Sequence, residues 1–248
     1  MGNTVREIAG EKAGIIVPGV PVIYDGNDKD AAEVIAAKAK ELGSPAYKVI
    51  QAGAKVLGNN KDGIDFSLED DIAWYQVMNA SLALTTMEVL KDRIPVTMEQ
   101  LQAGIANTRW QGRMETILPG VIVDGAHNED GVRRFVETAE RFQKEYPLTL
   151  LFSAVNDKDY QDMIHTICSR IKFRKVVTTE VGGYREVPSA ELAEIFCKEG
   201  CKDVGNSDNI EEAFHMAHEA KGEDGMLFCV GSLYLAGELK AYLAKRNG

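Results

Sequence analysis

Apolar and polar residues alternate in two different ways along the chain, and the change falls near residue 108. In the first part, long stretches with apolar residues at helical spacing are separated by short apolar runs and glycine-containing turns. Helices are predicted at residues 4–13, 28–42 and 74–92 and, after a Thr97–Gln100 capping box, from about residue 98, with strands at 20–24 and 46–52. Residues 53–68 contain several glycines and asparagines and predict a loop or hairpin.

In the second part, short apolar strands and amphipathic helices follow one another regularly. The strands are predicted at 114–117, 121–124, 148–154, 175–181, 202–204 and 226–231, and the helices at 129–144, 159–171, 189–199, 209–221 and 232–245. Repeated strand–helix units indicate a mainly parallel sheet with helices on both faces. Only three residues separate the first two strands, which suits antiparallel pairing. We therefore predict an α/β protein with two parts, 1–108 and 109–248.

Composition and charge narrow the function classes. The chain is 45% hydrophobic and 27% charged, which is typical of a folded globular protein. A net charge of −10 and a pI near 5.0 argue against a nucleic-acid partner. The longest apolar run, 225–236, is interrupted and too short to span a membrane, and the first residues do not resemble a signal peptide. The four cysteines form no C-x-x-C pair, so we expect free thiols, no zinc site and a cytoplasmic location.

Three polar clusters are candidates for chemistry. The first is GEKAGI at 10–15, where Lys12 lies near the end of a predicted helix. A lysine in that position is most often a solvated cation that the helix dipole favours. The third is VGSLYLAGE at 230–238, where Ser232 lies between an apolar strand and a helix. Ser232 is suited either to a ligand site at the strand end or simply to capping the helix.

The second cluster joins RWQGR at 109–113 to VIVDGAHNEDG at 121–131. Asp124 ends a predicted parallel strand, which is where open α/β sheets bind ligands, and the backbone N–H groups from Asn128 onward would suit an anion. The alternative is an ordinary strand–helix loop in which Asp124 or Asn128 caps the helix, and the pattern leaves both interpretations open. His127 on a polar loop favours a functional role, and Arg113 is a candidate phosphate ligand. Neither a Walker A sequence nor G-x-S-x-G occurs in the chain.

Together these clusters resemble the folylpolyglutamate synthase/dihydrofolate synthase family of the Mur ligase superfamily. The order and approximate spacing of five segments carry the resemblance over nearly the whole chain. They are GNTVREIAGEKAGIIVPGVPVI (2–23), YQVMNASLAL (75–84), TRWQGRME (108–115), DGAHN (124–128) and GSLYLAGE (231–238). Departures from the family pattern include Gln111 and Glu129, each of which stands where the family usually has proline.

The resemblance implies a fold and a place within a longer enzyme. Residues 1–108 would be the remnant of a P-loop-type central ATPase domain, and 109–248 a Rossmann-like Mur ligase C-terminal domain. We expect the chain to be a piece of a longer enzyme that lacks the phosphate-binding loop and is nearly inactive alone. As a full-length enzyme it would add L-glutamate to folates with ATP and Mg²⁺, by way of an acyl phosphate. Its partners would be small molecules, namely folate or dihydropteroate, L-glutamate and ATP, and it would be a monomer.

The resemblance also implies roles for six residues. Lys12 would be carbamylated, which turns a cation into a carboxylate-like ligand for Mg²⁺. Asn79 would lie near adenine, and Arg113 would contact the nucleotide phosphates. Asp124 would bind the ribose or orient Arg113, while His127 and Ser232 would face the acyl phosphate and the incoming glutamate.

Two other functions fit the same residues. One is a different Mur-family amino-acid ligase, such as a cell-wall or cyanophycin-type enzyme, although DGAHN with GSLYLAGE favours the folate branch. The other is a non-catalytic nucleotide-binding or regulatory module, which the missing Walker A sequence supports. Whether dihydrofolate synthesis accompanies glutamate addition does not follow from these residues.

Overall fold

The computed structural model describes residues 4–52, 55–57, 74–108, 111–156, 159–182 and 186–246. These residues belong to two compact units, Met1–Thr108 and Arg109–Gly248. Most of the predicted loop or hairpin at 53–68 lies outside the described residues, as do Arg109 and Trp110 of the RWQGR cluster.

The first unit contains a small sheet and four helices within its described residues. In chain order, the elements are α1 (Val5–Ala13), β1 (Val22–Asp25), α2 (Lys29–Glu41), β2 (Ala46–Ala52), β3 (Lys55–Leu57), α3 (Trp74–Leu90) and α4 (Met98–Asn107). Strand β2 is central, parallel to β1 and antiparallel to β3. Helix α3 packs on this sheet through Met78, which lies against buried Val49.

Side-chain caps define the amino-terminal ends of α1, α2 and α4, and the cap at Thr97 was predicted. Thr4 caps α1 and Thr97 caps α4, each in a capping box with a glutamate or glutamine three residues later. The predicted apolar face of α1 is only partly buried, because Val5 and Ile8 are exposed and Ala9 is enclosed. Strand β1 begins two residues later than predicted, since Val20 closes a turn by donating its N–H to the carbonyl of Val17.

The second unit is a six-stranded sheet with helices between its strands. Its elements are β4 (Glu115–Leu118), β5 (Val121–Val123), α5 (Glu129–Phe142), β6 (Leu148–Phe152), α6 (Tyr160–Arg170), β7 (Phe173–Thr179), α7 (Ser189–Lys198), β8 (Val204–Ser207), α8 (Ile210–Lys221), β9 (Met226–Val230) and α9 (Leu233–Arg246). The strand order is β4-β5-β9-β6-β7-β8. Strand β4 is antiparallel to β5, as predicted, and the remaining pairs are parallel.

Helices cover both faces of this sheet. On one face, α8 and α9 pack against side chains from β5, β6, β7 and β9. Val123, Leu151 and Cys229 belong to this buried cluster. On the other face, the ring of Phe228 in β9 meets that of Phe135 in α5 edge to face, with 5.4 Å between their centroids. Alternate residues of one strand therefore serve opposite cores, which explains why the central strands are apolar along their whole length.

The edge strand β8 differs from its predicted position. Residues 202–204 were predicted as a strand, but the paired segment is Val204–Ser207, whose strand partner among the described residues is β7. Gly205, Asn206 and Ser207 have low strand propensity, so pairing with the apolar residues of β7 decides where this strand lies. None of the described helices is both long and apolar enough to cross a membrane.

Candidate functional site

The DGAHN segment forms a loop at the carboxyl end of β5, beside the carboxyl ends of β9 and β6. Gly231, which follows β9, donates its N–H to the carbonyl of Ala126 at 3.1 Å. Ser153, which follows β6, donates its N–H to the carbonyl of Val230 at 3.2 Å. Three neighbouring strands thus end at one rim of the second unit, the edge at which open parallel sheets bind ligands.

Asp124 braces this loop from within. Asp124 is buried, with only 2% of its surface exposed. One carboxylate oxygen accepts the N–H of Ala126 at 2.8 Å, and the other accepts the N–H of Met114 at 2.9 Å. A buried carboxylate that accepts backbone N–H groups fixes the backbone around it. Asp124 therefore shapes the loop and its neighbour, whereas a direct contact with a ribose stays a prediction.

Arg113 is displayed by a turn that Asp124 helps to hold. The residues on either side, Gly112 and Met114, have φ angles of 64° and 45°. Glycine adopts this left-handed conformation freely, whereas in methionine the Cβ atom makes it unfavourable. Met114 is the one non-glycine residue with positive φ among those described. The N–H of Gly125 also donates to the carbonyl of Gly112 at 2.6 Å. Arg113 itself is exposed, so the turn presents a cation at the rim.

A second brace runs from α9 to the same turn. Glu115 accepts the N–H of Gly112 at 2.6 Å and forms an ion pair with Lys240 of α9 at 2.8 Å. Both side chains are about two-thirds buried, at 27% and 33% exposure. The sequence interpretation did not assign these two residues a role. They are 125 positions apart in the chain, so no local sequence signal would reveal the pair.

His127 is half-buried on the loop, and one contact determines which tautomer its neutral ring adopts. Its Nδ1 lies 2.7 Å from the carbonyl oxygen of Gly125. Because a carbonyl only accepts, Nδ1 must carry the proton, and Nε2 of the neutral ring is then an acceptor. Nε2 forms no hydrogen bond with any residue that the structure describes. The ring is therefore oriented with one nitrogen available to take or hold a proton.

Ser232 is buried and caps α9. It is 2% exposed, and its hydroxyl accepts the N–H of Tyr234 at 3.1 Å. The capping interpretation of Ser232 is thus confirmed, and contact with a substrate stays a prediction. The preceding Gly231 has a φ angle of 109°, and a Cβ there would overlap the carbonyl of Ser153. The Ser153 hydroxyl is itself buried and has no hydrogen-bond partner among the described residues.

The beginning of α5 carries its own cap and its own negative charge. The side chain of Asn128 accepts the N–H of Gly131 at 2.8 Å, as the capping alternative predicted. Glu129 and Asp130 lie in the first turn and complement the helix dipole. Of these two carboxylates, Asp130 is paired with Arg133 and Arg134. Anion binding at the start of α5 or at Arg113 stays a prediction.

The two remaining candidates, Lys12 and Asn79, lie in the first unit. Lys12 is exposed in the last turn of α1. Asn79 is exposed on α3 and donates its amide to the side-chain carbonyl of Gln76 at 2.9 Å. Gln76 is 3% exposed, and its amide nitrogen has no acceptor among the described residues. A buried, unsatisfied donor therefore lies one helical turn from Asn79.

The described residues do not by themselves provide a metal site. No three His, Cys, Asp or Glu side chains among them are placed to hold one ion. A carbamylated Lys12 would contribute a single ligand and would need partners beyond this set.

Comparison with known proteins connects this geometry to one enzyme group. Residues 112–233 match the family described as Mur ligase, glutamate ligase domain. The chain is 30% identical over 265 residues to the dihydrofolate synthase/folylpolyglutamate synthase of Bacillus subtilis, covering 98% of this chain and 59% of that protein. The chain thus spans about three fifths of the length of such relatives.

Solved structures show the same fold. E. coli FolC in complex with DHPP and ADP superposes with a TM-score of 0.82 at 18% identity, covering 98% of this chain and 57% of that one. The bifunctional folylpolyglutamate synthase/dihydrofolate synthase from Yersinia pestis, complexed with AMPPNP and Mn ion, gives a TM-score of 0.80 at 19% identity, with 98% and 58% covered. Residues 112–233 thus match the glutamate ligase domain of the Mur ligases, and nearly the whole chain is similar in sequence to the folylpolyglutamate and dihydrofolate synthases.

Proposed function

We propose that this protein adds L-glutamate to folates in an ATP-dependent reaction that passes through an acyl phosphate. The observation that carries the proposal is the similarity along 98% of the chain, in both units, to a protein named for both folate activities. A resemblance limited to residues 112–233 would fit any Mur ligase equally well. The extension through residues 1–108 favours the folate branch over the other amino-acid ligases.

The reaction poses a problem of charge. A polyanionic nucleotide must approach the terminal carboxylate of the folate. The carboxylate then attacks the γ-phosphorus of ATP, the bond to the bridging oxygen breaks, and ADP leaves. The amino group of L-glutamate next attacks the acyl carbon, so that phosphate leaves and an amide bond forms. Positioned cations and hydrogen-bond donors stabilise the charge that moves in both steps.

In this proposal, the rim of the second unit supplies part of that stabilisation. Arg113 neutralises phosphate charge, because its turn presents a guanidinium that has no ion-pair partner among the described residues. His127 takes a proton at Nε2 as the attacking amine loses one, since Nδ1 already donates to the carbonyl of Gly125. Asp124 and Ser232 hold the loop and the α9 terminus in place, and Asp124 thereby orients Arg113.

The first unit supplies contacts to adenine and to the metal. Asn79 lies beside the buried amide of Gln76, which has no acceptor among the residues that the structure describes, and a ligand acceptor there would satisfy that donor. Lys12 would carry the carbamate that binds Mg²⁺, which neutralises phosphate charge when bound. The 248 residues contain no Walker A sequence, so the phosphate cradle comes from residues outside this set. We expect the 248 residues alone to be nearly inactive.

The test is a substrate panel on the longest natural form of the protein that contains these residues. ADP release should require ATP, Mg²⁺, a reduced folate and L-glutamate together, and the product should gain one glutamyl residue by mass spectrometry. Dihydropteroate in place of the folate tests for dihydrofolate synthesis. Release of ADP with a cell-wall precursor, and none with a folate, would identify another Mur ligase. Nucleotide binding without turnover on any substrate would identify a binding module.

Variants of two arginines test the assigned rim. Arg113→Ala should lower kcat/KM at least a hundredfold, because a phosphate-neutralising cation is lost from the transition state. Arg141→Ala, at the far end of α5, is the matched control and should retain activity. Equal kcat/KM in the two variants would show that Arg113 does not stabilise the transition state.

We also propose that the protein works as a cytoplasmic monomer that binds neither nucleic acid nor membranes. The net charge of −10 supports the first exclusion, since phosphate backbones repel an acidic surface. Sedimentation equilibrium at micromolar concentration should give the monomer mass, and a dimer mass would contradict this part of the proposal.

A further inference from the structure

Two cysteines that are far apart in sequence lie side by side in the second unit. The Sγ atoms of Cys168 in α6 and Cys201, just after α7, are 3.7 Å apart and share a hydrogen bond. A disulfide bond is about 2.05 Å long, so the two sulfurs need to approach by roughly 1.7 Å, which side-chain rotation supplies. Both thiols are half-buried and thus reachable by small reagents.

The backbone holds Cys201 in this place. Helix α7 ends in a Schellman motif, in which Gly200 has a φ angle of 94° and donates its N–H to Cys197 at 3.0 Å. The N–H of Cys201 then reaches back to the carbonyl of Phe196 at 3.1 Å. This motif turns the chain so that the Cys201 side chain returns to the end of α6.

A second contact fixes the same two segments. His165, one turn before Cys168 on α6, lies 2.9 Å from the carboxylate of Glu199, which ends α7. The α6 and α7 ends are therefore in contact at two independent points, one between a histidine and a carboxylate and one between two thiols. Neither cysteine lies at the rim that holds Arg113 and His127, since α6 and α7 end beside the amino ends of β7 and β8.

We propose that Cys168 and Cys201 form a reversible modification site, a dithiol that low-molecular-weight disulfides oxidise to an intramolecular disulfide. The Cys201 thiolate attacks one sulfur of the small disulfide, forming a mixed disulfide and releasing one thiolate. The Cys168 sulfur then attacks the Cys201 sulfur and expels the second small thiolate, which takes up the proton that Cys168 loses. Two electrons pass from the protein dithiol to the small disulfide, which becomes two thiols.

The order of attack follows from the hydrogen bond between the sulfurs. Donation from the Cys168 thiol lowers the pKa of Cys201, although burial opposes this shift. The same hydrogen bond, together with burial, raises the pKa of Cys168. Cys201 is therefore the thiol that ionises first and attacks first. Cys229, whose pKa burial raises, is enclosed in the core and takes no part.

The test uses the full 248-residue chain, incubated with oxidised glutathione and then blocked, digested with trypsin and analysed by mass spectrometry. Each cysteine falls on its own tryptic peptide, namely 159–170, 186–198, 199–202 and 222–240. Peptides 159–170 and 199–202 should appear joined, and dithiothreitol should separate them. Linkage of 186–198 to 199–202, or glutathione retained separately on Cys168 and Cys201, would overturn the proposal.

Single variants separate the two thiols. Cys168→Ser should trap glutathione on Cys201, because no second thiol is there to displace it. In Cys201→Ser, Cys168 should be modified at least tenfold more slowly than in the unsubstituted chain, since there is no mixed disulfide on Cys201 for it to attack. Cys197→Ser is the matched control: Cys197 is exposed on α7, and its loss should leave the cross-link unchanged. The unsubstituted chain decides the question even if either Cys168 or Cys201 variant fails to fold.

Discussion

Replacing Asp124 by asparagine tests whether this carboxylate holds the loop together. The substitution keeps the size of the side chain but exchanges one acceptor oxygen for an NH₂ group. In the native loop, the two oxygens accept the N–H groups of Ala126 and Met114. An asparagine carbonyl satisfies one of these, and its NH₂ group then faces the other N–H. The Asp124→Asn chain should therefore unfold more easily, even though its shape is preserved.

The expected loss follows from these contacts. A hydrogen bond to a charged group contributes about 1.5–3 kcal/mol, and a buried donor left unsatisfied costs about 1–3 kcal/mol. Asp124 is 2% exposed, so water does not replace the lost acceptor. We expect the free energy of unfolding to fall by roughly 2–4 kcal/mol. Part of this loss arises because Asp124 stabilises Met114 at its φ angle of 45°, a conformation that costs about 1–2 kcal/mol for a side chain with a Cβ.

Urea denaturation of the 248-residue chain, followed by circular dichroism, measures this loss. Asp159→Asn is the matched control, because Asp159 is an exposed helix cap that accepts from Asp162 and asparagine caps equally well. A loss no larger than that of the control, below about 0.5 kcal/mol, would refute the bracing role.

Other substitutions test the rim, the turn and the helix surface. Gly231→Ala should lower the free energy of unfolding, measured by thermal denaturation, by more than about 3 kcal/mol, because its φ angle is 109° and a Cβ would overlap the carbonyl of Ser153. Gly237→Ala, on the exposed side of α9, should raise that free energy by roughly 0.5–1 kcal/mol. Equal effects of the two substitutions would contradict the geometry. Glu115→Gln should lose about 1 kcal/mol by weakening the tie to α9, and an unchanged urea midpoint would argue against that tie. Burial and the charge of Lys221 lower the pKa of His218, so the unfolded chain binds this proton more readily and stability should fall as pH drops below about 6.5. In His218→Gln that part of the acid-induced decrease in melting temperature should disappear, and an identical pH profile would exclude the histidine.

Much of the fold was predictable because its signals are local. The capping side chains of Asp159 and Asn209 and the apolar run of β9 each announce one element within a few residues. Edge strand β8 was misplaced because its own residues favour no strand, and its position depends on β7. Likewise, the exposure of Val5 on α1 does not follow from helical spacing, since spacing defines a face but not whether anything covers it.

The sequence predicts which residues lie at the site better than it predicts what each of them contacts. The strand ends identify the rim, and the capping alternatives for Asn128 and Ser232 are confirmed. The left-handed backbone of Met114 and the tie between Glu115 and Lys240 carry no sequence signal, because each depends on segments brought together by the finished sheet. Long-range contacts of this kind decide which polar side chains of a motif reach the surface.

That distinction separates two kinds of residue within the RWQGR, DGAHN and GSLYLAGE segments. Asp124 and Ser232 are each 2% exposed, and their side-chain oxygens accept hydrogen bonds from backbone N–H groups. Replacing either side chain therefore changes the loop before it changes any ligand contact. Arg113 is exposed and His127 is half-buried with a fixed tautomer, so substitutions there remove charge or a proton acceptor from a loop that stays folded. Activity lost in proportion to stability is therefore expected at the first pair. Activity lost with stability retained is expected at the second, and this contrast follows from burial and hydrogen bonding rather than from position in a motif.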